Sequence, residues 1–587
     1  MLIFYQKHKE AIILFSIAFL SRLFVLPFAN NVEADATSRI FISEELLHNL
    51  RIIKSGHWPS LPFYFNALFI YIFQDRVIGP KILTLLCGSI CILPFYGFTK
   101  NIFNKQGAFY ASLVFTFSAV IFRNSFQPLA EIFYTCFACI SLYYISVGLI
   151  QQNNKIKYGL LAGLFMTIAA GARFEAWTLI LFFSMTLILL KEWRLLFSFG
   201  SASLVFPVFW MYGSYTELGD PFYSLHSVER WNYEIEGHND SIDKTELIRR
   251  TLYFPMSWLI NITPLAALVI ITSVFKCIIR KTLSKYQTGL LLITLTVFGM
   301  FIFKSINGSL FMSHRFTVSL ILFTAPFFAL FFNNLQHFKR KQIISVVIIL
   351  LMLPFSFVWE KVPVARLFFW QPRIKNAIQL NIYSSYEQTR AIPLLTDATT
   401  LSDLKAVNDN LKAGDGLIID FIDWERSYFI AEGAKIPFNH LFIQLGAAHS
   451  KLSFKSIEQI AKNNPNGILI LKDFSNLSLS TRLSANKLSI DSIPGLFLLT
   501  PVRTNKLIRI FRYHYLPQLN FTKLNEEHQE PLYLQVKGVQ YFEDCIRKDV
   551  NWFINVVQQA HENKISVDSC ITLNAMYMIE QEKEKQK

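Results

Sequence analysis

Residues 11–35 read AIILFSIAFLSRLFVLPFANNVEAD, and this stretch predicts a membrane-spanning helix that ends in an acidic cluster. The run from Ala11 to Ala29 is apolar except for two serines and one arginine, and it is long enough to cross a bilayer. It lacks an obvious small-residue cleavage site, so we expect it to be retained. Glu33 and Asp35 follow directly. Carboxylates at a bilayer boundary are costly unless they face water or a partner, which makes both of them candidate functional residues.

The rest of the chain extends this pattern. Of its 587 residues, 52% are hydrophobic and 17% are charged, with a mean hydropathy of +0.35, whereas soluble domains are less apolar and more charged. Apolar runs recur as far as Val358, and about eleven of them predict a polytopic α-helical membrane protein. The predicted spans are Ala11–Ala29, Ile82–Phe98, Ala108–Ile121, Ile132–Ile150, Tyr158–Ala172, Ala176–Leu190, Leu195–Tyr212, Phe254–Phe275, Thr288–Phe303, Thr317–Phe332 and Ile343–Val358.

The net charge of +15 does not by itself indicate a nucleic-acid partner, because in a membrane protein the position of the charges matters more than their sum. Lysines and arginines gather at alternate ends of successive spans, as in cytoplasmic loops. We therefore predict a multi-pass inner (plasma) membrane protein with a cytoplasmic N-terminus and an external C-terminal domain. The clusters are Lys7/Lys9, Lys100/Lys105, Lys155/Lys157, Lys191/Arg194, Lys276/Arg280/Lys281/Lys285 and Lys339/Arg340/Lys341.

One apolar segment, Leu61–Phe73, departs from this alternation. Its length of about thirteen residues falls short of the about twenty that a span needs. Counting it as a span would also reverse the side of every later loop. We place it at the outer interface, within an external loop from Asn30 to Lys81 whose aromatic residues suit a headgroup boundary.

With this topology, a set of charged residues sorts to the external helix ends and loops. The cationic clusters define which loops are cytoplasmic. The external position of the acidic residues is therefore the more independent support for this topology. The candidate site residues are Glu33, Asp35, His57, Glu131, Arg173, Glu175, His314 and Arg315.

The acidic candidates also have structural explanations. Asp35 could cap the helix predicted from Ala36 to Leu50, with Glu44 and Glu45 on its wet face. Glu131 could serve only the dipole of the helix that it begins.

The basic candidates have structural explanations as well. Arg173 and Glu175 interrupt an apolar stretch and could simply pair with each other, although an ion pair between apolar flanks is expensive. His314 and Arg315 could be an interfacial pair that reaches for water, or they could bind phosphate beside the outer loop at 307–309.

The segment from Glu33-Ala34-Asp35 to Gly56-His57-Trp58-Pro59-Ser60-Leu61-Pro62-Phe63-Tyr64-Phe65 resembles the first external loop of GT-C polyprenyl-phosphate-sugar-dependent glycosyltransferases. It is most similar to the branch of the protein O-mannosyltransferases and lipid A aminoarabinose transferases. In that superfamily an acid follows the first helix, and a Gly-x-x-Pro-type segment leads into an interfacial aromatic helix. Glu131, residues 171–175 and His314-Arg315-Phe316 are also similar to GT-C elements. The resemblance covers the membrane region, 1–358, and implies a GT-C-like fold.

The resemblance implies transfer of a sugar from a polyprenyl-phosphate donor to an acceptor (protein, lipid or glycan) at the external face, with inversion. Asp35 is the first choice for the base that deprotonates the acceptor, and Glu33 the second. The usual Asp-Glu pair of the branch is here Glu-Ala-Asp, which leaves the choice open. The spaced acids also resemble those of oligosaccharyltransferases, where a divalent metal participates, so a metal at Glu33 and Asp35 stays open.

The remaining candidates fit donor binding. A departing lipid phosphate calls for cations at the membrane face, and Arg173, Arg315 and His314 could supply them. Glu131, Glu175 and His57 complete the predicted substrate-binding set.

Two functions from other classes fit parts of the sequence. A transporter or flippase of a lipid-linked or anionic substrate would also carry charges near its spans, but such proteins tend to show internal repeats and broken helices, and no matching halves are seen. A non-catalytic assembly protein would leave Glu33 and Asp35 unconstrained.

The polarity rises after Val358, which predicts an external domain at 359–587. Gly416–Asp420, Gly467–Leu471 and Gly495–Leu499 are predicted strands, and alternation with helices indicates a small α/β domain with a helical end. Asp420 and Asp423 follow a strand, where ligands often bind in α/β sheets, but a solvated strand end is the preferred interpretation. Cys545 and Cys570 could form a disulfide in an oxidising compartment.

Overall fold

The chain forms two compact units, Met1–Glu387 and Gln388–Lys587. The computed structural model describes 2–236, 244–333 and 338–357 of the first unit. In the second unit it describes 392–393, 398–420, 422, 424–444, 456–472, 481–484, 487–490, 496–505, 508–517, 542–543, 546–547, 550–562 and 566–585. The predicted boundary at 358/359 falls outside these residues.

The described part of the first unit is mostly helical, and the runs predicted to cross the membrane fall largely within its helices. A two-residue extended segment, Asn31–Val32, precedes the second helix. The α-helices are Leu2–Val25 (α1), Ala34–His48 (α2), Leu61–Phe73 (α3), Ile78–Ile90 (α4), Ile92–Ile102 (α5), Lys105–Phe117 (α6), Ala119–Asn124 (α7), Ala130–Ile150 (α8), Lys155–Ala170 (α9), Glu175–Leu189 (α10), Trp193–Ser203 (α11), Val205–Leu218 (α12), Tyr223–Glu236 (α13), Lys244–Ile262 (α14), Pro264–Ile279 (α15), Lys285–Ile306 (α16), Val318–Thr324 (α17) and Phe338–Phe357 (α18). Short 3₁₀ helices span Leu26–Phe28, Gln152–Asn154, His314–Thr317 and Ala325–Phe332.

Judged by length and composition alone, fewer helices qualify as membrane spans than the eleven predicted. In the described part of the chain, six helices are long and apolar enough to cross a membrane, or seven if one bent pair counts as a single span. The bent pair is α14 and α15, which meet at 105°. The prediction of one continuous span over Phe254–Phe275 is therefore wrong. Thr263, with φ +74°, precedes Pro264, and a residue before proline is disfavoured in the α conformation, which ends the helix there.

Contacts at the predicted cytoplasmic end join loops that the alternation had placed together. Glu10 of α1 pairs with Lys105 at the start of α6, at 3.1 Å. Lys155 at the start of α9 pairs with Glu192 before α11, at 2.6 Å. Each pair brings together the two helices that it joins, as the predicted cytoplasmic loops require.

Contacts with other helices hold both ends of α3. The backbone N–H of Leu61 donates to the carbonyl of Gly171, between α9 and α10, at 3.0 Å. Just after α3, Arg76 pairs with Glu44 of α2 at 3.5 Å. These contacts join the two ends of α3 to the connection between α9 and α10 and to α2, and its placement at the outer interface stays a prediction.

The second unit contains a seven-stranded mixed sheet. Gly416–Ile419 (β1) lies between two parallel neighbours, Leu441–Ile443 (β2) and Asn466–Lys472 (β3), and the rest of the sheet is antiparallel. The other strands are Thr481–Ser484 (β4), Lys487–Ile490 (β5), Leu496–Thr504 (β6) and Ile508–Leu516 (β7), in the sheet order β2-β1-β3-β7-β6-β5-β4. The helices are Ala398–Asn410 (α19), Trp424–Gly433 (α20), Ile457–Asn463 (α21), Val550–Glu562 (α22) and Val567–Lys585 (α23), with a 3₁₀ turn at Phe438–His440.

Two details of the second unit bear on the sequence predictions. Asp420 is fully buried, and its carboxylate accepts a hydrogen bond from the backbone N–H of Lys472 at 3.4 Å. It is therefore not a solvated strand end, because a neighbouring strand covers it; Asp423 lies outside the described residues. Cys570 is buried and Cys545 lies outside the described residues, so their disulfide stays a prediction.

Candidate active site

The first external loop carries its two acids at the start of α2. Glu33 is the N-cap residue of α2, and Asp35 lies in its first turn. Asp35 is therefore not the cap of this helix, and the cap position makes no side-chain hydrogen bond to the helix. Glu44 is buried beside Arg76, so the expected wet face is wrong for this residue. The N-terminal turn of α2 thus presents both carboxylates for contacts outside the helix.

Arg315 brings three predicted acids together. Its Nη1 donates to Glu33 Oε2 at 2.8 Å, and its Nη2 donates to Asp35 Oδ2. Its Nε lies 3.4 Å from Glu131 Oε1. Glu33 and Asp35 are neighbours in the chain, whereas Glu131 and Arg315 lie about a hundred or more positions from them and from each other, so only the folded bundle joins the four.

Arg173 extends the same network through Glu131. Its Nη1 pairs with Glu131 Oε1, while its Nε and Nη2 form a bidentate pair with Glu175 at 2.9 and 2.5 Å. Arg173 and Glu175 do pair with each other, as the structural explanation had it, but Glu131 connects that pair to Arg315. Glu131 is only 1% exposed, so its charge depends on these two guanidinium groups.

An aromatic ring supports both arginines. The Phe316 ring lies 4.9 Å from the guanidinium carbon of Arg173 and 5.2 Å from that of Arg315. Cation–π contact holds a guanidinium in place without using its N–H groups. The hydrogen-bonding edges of Arg173 and Arg315 therefore stay available to anions.

The environment separates the pKa values of the two acids in the loop. Burial raises the pKa of Glu33 to about 7, and the nearby Glu131 and Asp35 add to the rise against the opposing charge of Arg315. Burial also acts to raise the pKa of Asp35, but the charges of Arg315 and Arg39 outweigh it and lower that pKa. Asp35 is thus ionised at neutral pH, whereas Glu33 is present there in both its protonated and its ionised form.

Two further side chains reach this cluster that sequence reasoning missed. Arg39, one turn after Asp35 on α2, is 4% exposed and lies over the Trp58 ring at 4.5 Å. Gln127 accepts a hydrogen bond from the backbone N–H of Glu33 at 3.2 Å. The spacing of four residues between Asp35 and Arg39 was the available signal, because it places both on one helix face.

The two predicted histidines are held by the elements around them. His57 Nδ1 contacts the hydroxyl of Ser227, and its ring lies 6.0 Å from that of Tyr223, so α13 holds it. Burial lowers the pKa of His57. His314 is buried in the 3₁₀ turn that precedes α17. An interfacial pair reaching for water is therefore wrong for His314 and Arg315.

The carboxylates suit a cation, but a guanidinium already occupies them. Glu33 and Asp35 each direct an oxygen to Arg315. Among the described residues, no group of three or more histidine, cysteine, aspartate or glutamate side chains is arranged to hold a metal ion. A divalent ion at this position would have to displace Arg315 from both acids.

The chain is similar to a known protein family over part of its length and to solved structures over most of it. Residues 57–211 match the family model described as dolichyl-phosphate-mannose-protein mannosyltransferase. ArnT from Cupriavidus metallidurans bound to undecaprenyl phosphate has a similar structure, with a TM-score of 0.55 and 11% identity over 85% of this chain and 97% of that chain. The apo state of that protein gives a TM-score of 0.51 and 10% identity over 84% of this chain and 97% of that chain.

An oligosaccharyltransferase from Archaeoglobus fulgidus, tethered with an acceptor peptide, gives a TM-score of 0.45 and 13% identity over 80% of this chain and 69% of that chain. No curated protein sequence matches the chain. The likeness to ArnT, at this identity, is one of fold.

Proposed function

We propose that this chain, a multi-pass membrane protein with the fold of the GT-C glycosyltransferases, transfers a sugar from a polyprenyl-phosphate donor to an acceptor at the external membrane face. The observation that carries the proposal is the single network of Glu33, Asp35, Glu131, Arg173 and Arg315. It gathers cations for a lipid phosphate and carboxylates for an acceptor where helices begin. The partial match to the mannosyltransferase family supports the same reaction class.

The donor phosphate would bind to Arg315. This guanidinium is 13% exposed. Its two partners in the loop are carboxylates, and a phosphate oxygen can take the place of a carboxylate oxygen at the same N–H group. Bidentate Arg–phosphate contacts are charge-assisted and stronger than neutral hydrogen bonds. Arg173 sits on the other side of Glu131 and adds positive potential to the leaving phosphate as charge develops on it.

Asp35 is the proposed base. Its side chain is 30% exposed, against 14% for Glu33, so an acceptor reaches it more easily. The acceptor oxygen or nitrogen attacks the anomeric carbon, and its proton passes to the Asp35 carboxylate. The bond from that carbon to the phosphate oxygen breaks, and the lipid phosphate leaves with the electron pair. A single displacement of this kind inverts the anomeric centre.

The remaining residues have supporting roles in this proposal. Glu131 and Glu175 hold Arg173 in place, whereas His57 and His314 line the surrounding loops. The sugar is a hexose or a pentose, and the acceptor is a protein, a lipid or a glycan. The protein resides in the inner (plasma) membrane with its N-terminus in the cytoplasm and the second unit outside.

The test uses a product common to every acceptor. The purified chain is placed in vesicles made from membranes of its own cells and supplied with a panel of undecaprenyl-phosphate hexoses and pentoses. Release of undecaprenyl phosphate is measured by mass spectrometry of the lipid extract. We expect wild-type protein to release it from at least one donor and Asp35→Asn not to. No release above protein-free vesicles from any donor would overturn the proposed function.

A further inference from the structure

Arg39 is a buried cation without a hydrogen-bonded partner for much of its guanidinium. It is 4% exposed, and neither its Nε nor its Nη1 has a hydrogen-bond partner in the described part of the chain. Its guanidinium lies over the face of the Trp58 ring, a contact that uses none of its N–H groups. Buried N–H groups of a charged side chain are normally paired, because leaving them unpaired costs free energy.

Another buried arginine of the same unit shows the usual arrangement. Arg22 of α1 is fully buried, and all three of its nitrogens donate hydrogen bonds. They reach Ser125 at 2.8 Å, and the carbonyls of Ala18 and Thr116 each at 3.1 Å. Arg22 is therefore a structural residue whose donors are satisfied by the protein itself. Arg39 lacks such partners, so a structural role leaves its burial unexplained.

Arg39 keeps its positive charge although no carboxylate pairs with it directly in the described part of the chain. It lies on α2 four residues after Asp35, and the charges of Glu131 and Asp35 act on it without a direct ion pair. Burial lowers its pKa to about 10, so it remains protonated at neutral pH. Arg173 and Arg315 are already paired with acids, which leaves Arg39 as a cation of the cluster not yet committed to a carboxylate.

We propose that Arg39, together with Arg315, binds the phosphate of the polyprenyl-phosphate donor through its guanidinium N–H groups, with the Trp58 ring holding the guanidinium plane. This inference rests on the proposed function, because it assigns a residue to that donor. A planar guanidinium presents N–H pairs on two edges, Nε with Nη2 and Nη1 with Nη2, and such a pair matches two phosphate oxygens, whereas a lysine would offer a single point charge.

The experiment measures lipid binding and thermal stability in the same detergent-purified full-length proteins. The variants are Arg39→Met, which removes the charge, and Arg39→Lys, which keeps it without the planar fork. Arg22→Met is the matched control for loss of a buried arginine. The probes are undecaprenyl phosphate, uncharged undecaprenol, phosphatidylglycerol and inorganic phosphate, each titrated by native mass spectrometry.

We expect wild-type protein to bind undecaprenyl phosphate in preference to the other three probes. Arg39→Met should weaken that binding about 10- to 100-fold, and Arg39→Lys about 10-fold, because a charge-assisted pair is lost or reduced to one contact. Without lipid, Arg39→Met should melt at or above the wild-type temperature, since it removes an unpaired buried charge. Arg22→Met should melt lower and keep its lipid affinity.

Each contrary result has a distinct meaning. Wild-type affinity in both Arg39 variants overturns the assignment and leaves the proposed function intact. Preference of the wild type for phosphatidylglycerol or for inorganic phosphate overturns the donor as the ligand of Arg39. Absence of undecaprenyl phosphate binding in the wild type overturns the donor class, and the proposed function with it. Loss of lipid binding in Arg39→Met together with a large drop in melting temperature, with Arg39→Lys unaffected in both, makes Arg39 a structural residue.

Discussion

Replacing Asp35 with asparagine is expected to separate catalysis from donor binding. Asparagine is nearly isosteric and can still accept a hydrogen bond from Arg315, but it cannot take a proton from the acceptor. Arg315 also keeps Glu33 at 2.8 Å and Glu131 at 3.4 Å, so the guanidinium stays in position. Loss of a general base lowers turnover about 10²- to 10⁴-fold, which corresponds to roughly 3–5 kcal/mol of transition-state stabilisation. The donor KM should be unchanged or lower, since one competitor for Arg315 has lost its charge.

Glu33→Gln is the matched comparison for this variant. The pKa of Glu33 is raised to about 7, so near neutral pH a large share of this side chain is already uncharged, as glutamine is. A raised carboxyl pKa means that the ionised form prevails only above about pH 7. The effect of Glu33→Gln should therefore be mild and should shrink as the pH falls. The lowered pKa of Asp35 keeps that base ionised through the same range.

The assay is release of undecaprenyl phosphate by equal amounts of each protein in vesicles, from about pH 5 to pH 9 and with and without a chelator. If Glu33 is the base instead, Glu33→Gln should be the more damaging variant, and wild-type turnover should fall about tenfold per pH unit below pH 7. Wild-type turnover in both variants would refute the reasoning, because the acidic cluster of the first loop would then lie outside the active site.

Three further results are expected. Arg315→Ala or Arg173→Ala should weaken binding of undecaprenyl phosphate about tenfold or more in equilibrium titrations, and unchanged affinity in both would make these arginines structural. A reporter fused after Ser402 should be active only as an exported enzyme, so cytoplasmic activity would reverse the predicted orientation and the site with it. Gly467→Ala should destabilise the second unit by about 1–3 kcal/mol, because a Cβ there would lie 2.0 Å from the carbonyl oxygen of Gly416 on the neighbouring strand; faster proteolysis of that unit in the full chain is the readout.

The helices of the first unit were predictable because their signal is local. Apolar runs such as Ile132–Ile150 coincide with helices to within a few residues, since the bilayer rewards length and hydrophobicity directly. The break at Thr263 was missed although Pro264 marked it, because hydropathy alone carries no backbone geometry. The count of eleven spans is not confirmed, since short or bent helices such as α14 and α15 can be apolar without crossing alone.

The sheet of the second unit was predictable where its strands are short apolar runs, and the predicted Gly495–Leu499 overlaps the strand Leu496–Thr504. Gly416–Ile419 and Asn466–Lys472 appear in the sequence as short apolar runs, and both were found. The strand Ile508–Leu516 was missed, although its apolar and polar residues nearly alternate. This strand pairs with β3, which lies about forty residues earlier in the chain, and the register of such a pairing cannot be derived from a single sequence.

The membership of the site was largely predictable, whereas its pairing was not. Asp35, Glu131 and Arg315 stood out because charges at helix ends in a membrane protein are expensive. Which acid each guanidinium contacts depends on how the first turns of four helices pack together. Those contacts join residues that are far apart in the chain. Arg39 escaped notice because it sits inside a short helix of mixed composition, where an arginine looks ordinary until its burial is known.

The charges of the site imply an order for binding and catalysis. In the structure, four carboxylates (Glu33, Asp35, Glu131 and Glu175) surround Arg173 and Arg315, with Arg39 nearby. An acceptor that arrived first would meet an Asp35 whose basicity is reduced by Arg315. A donor phosphate that binds Arg315 partly neutralises it, and the pKa of Asp35 then rises towards that of an ordinary carboxyl group. The same phosphate raises the pKa of Glu33 further, so donor binding should take up a proton near neutral pH. The donor thus prepares the base that deprotonates the acceptor, and a site built this way reacts only when both substrates are present.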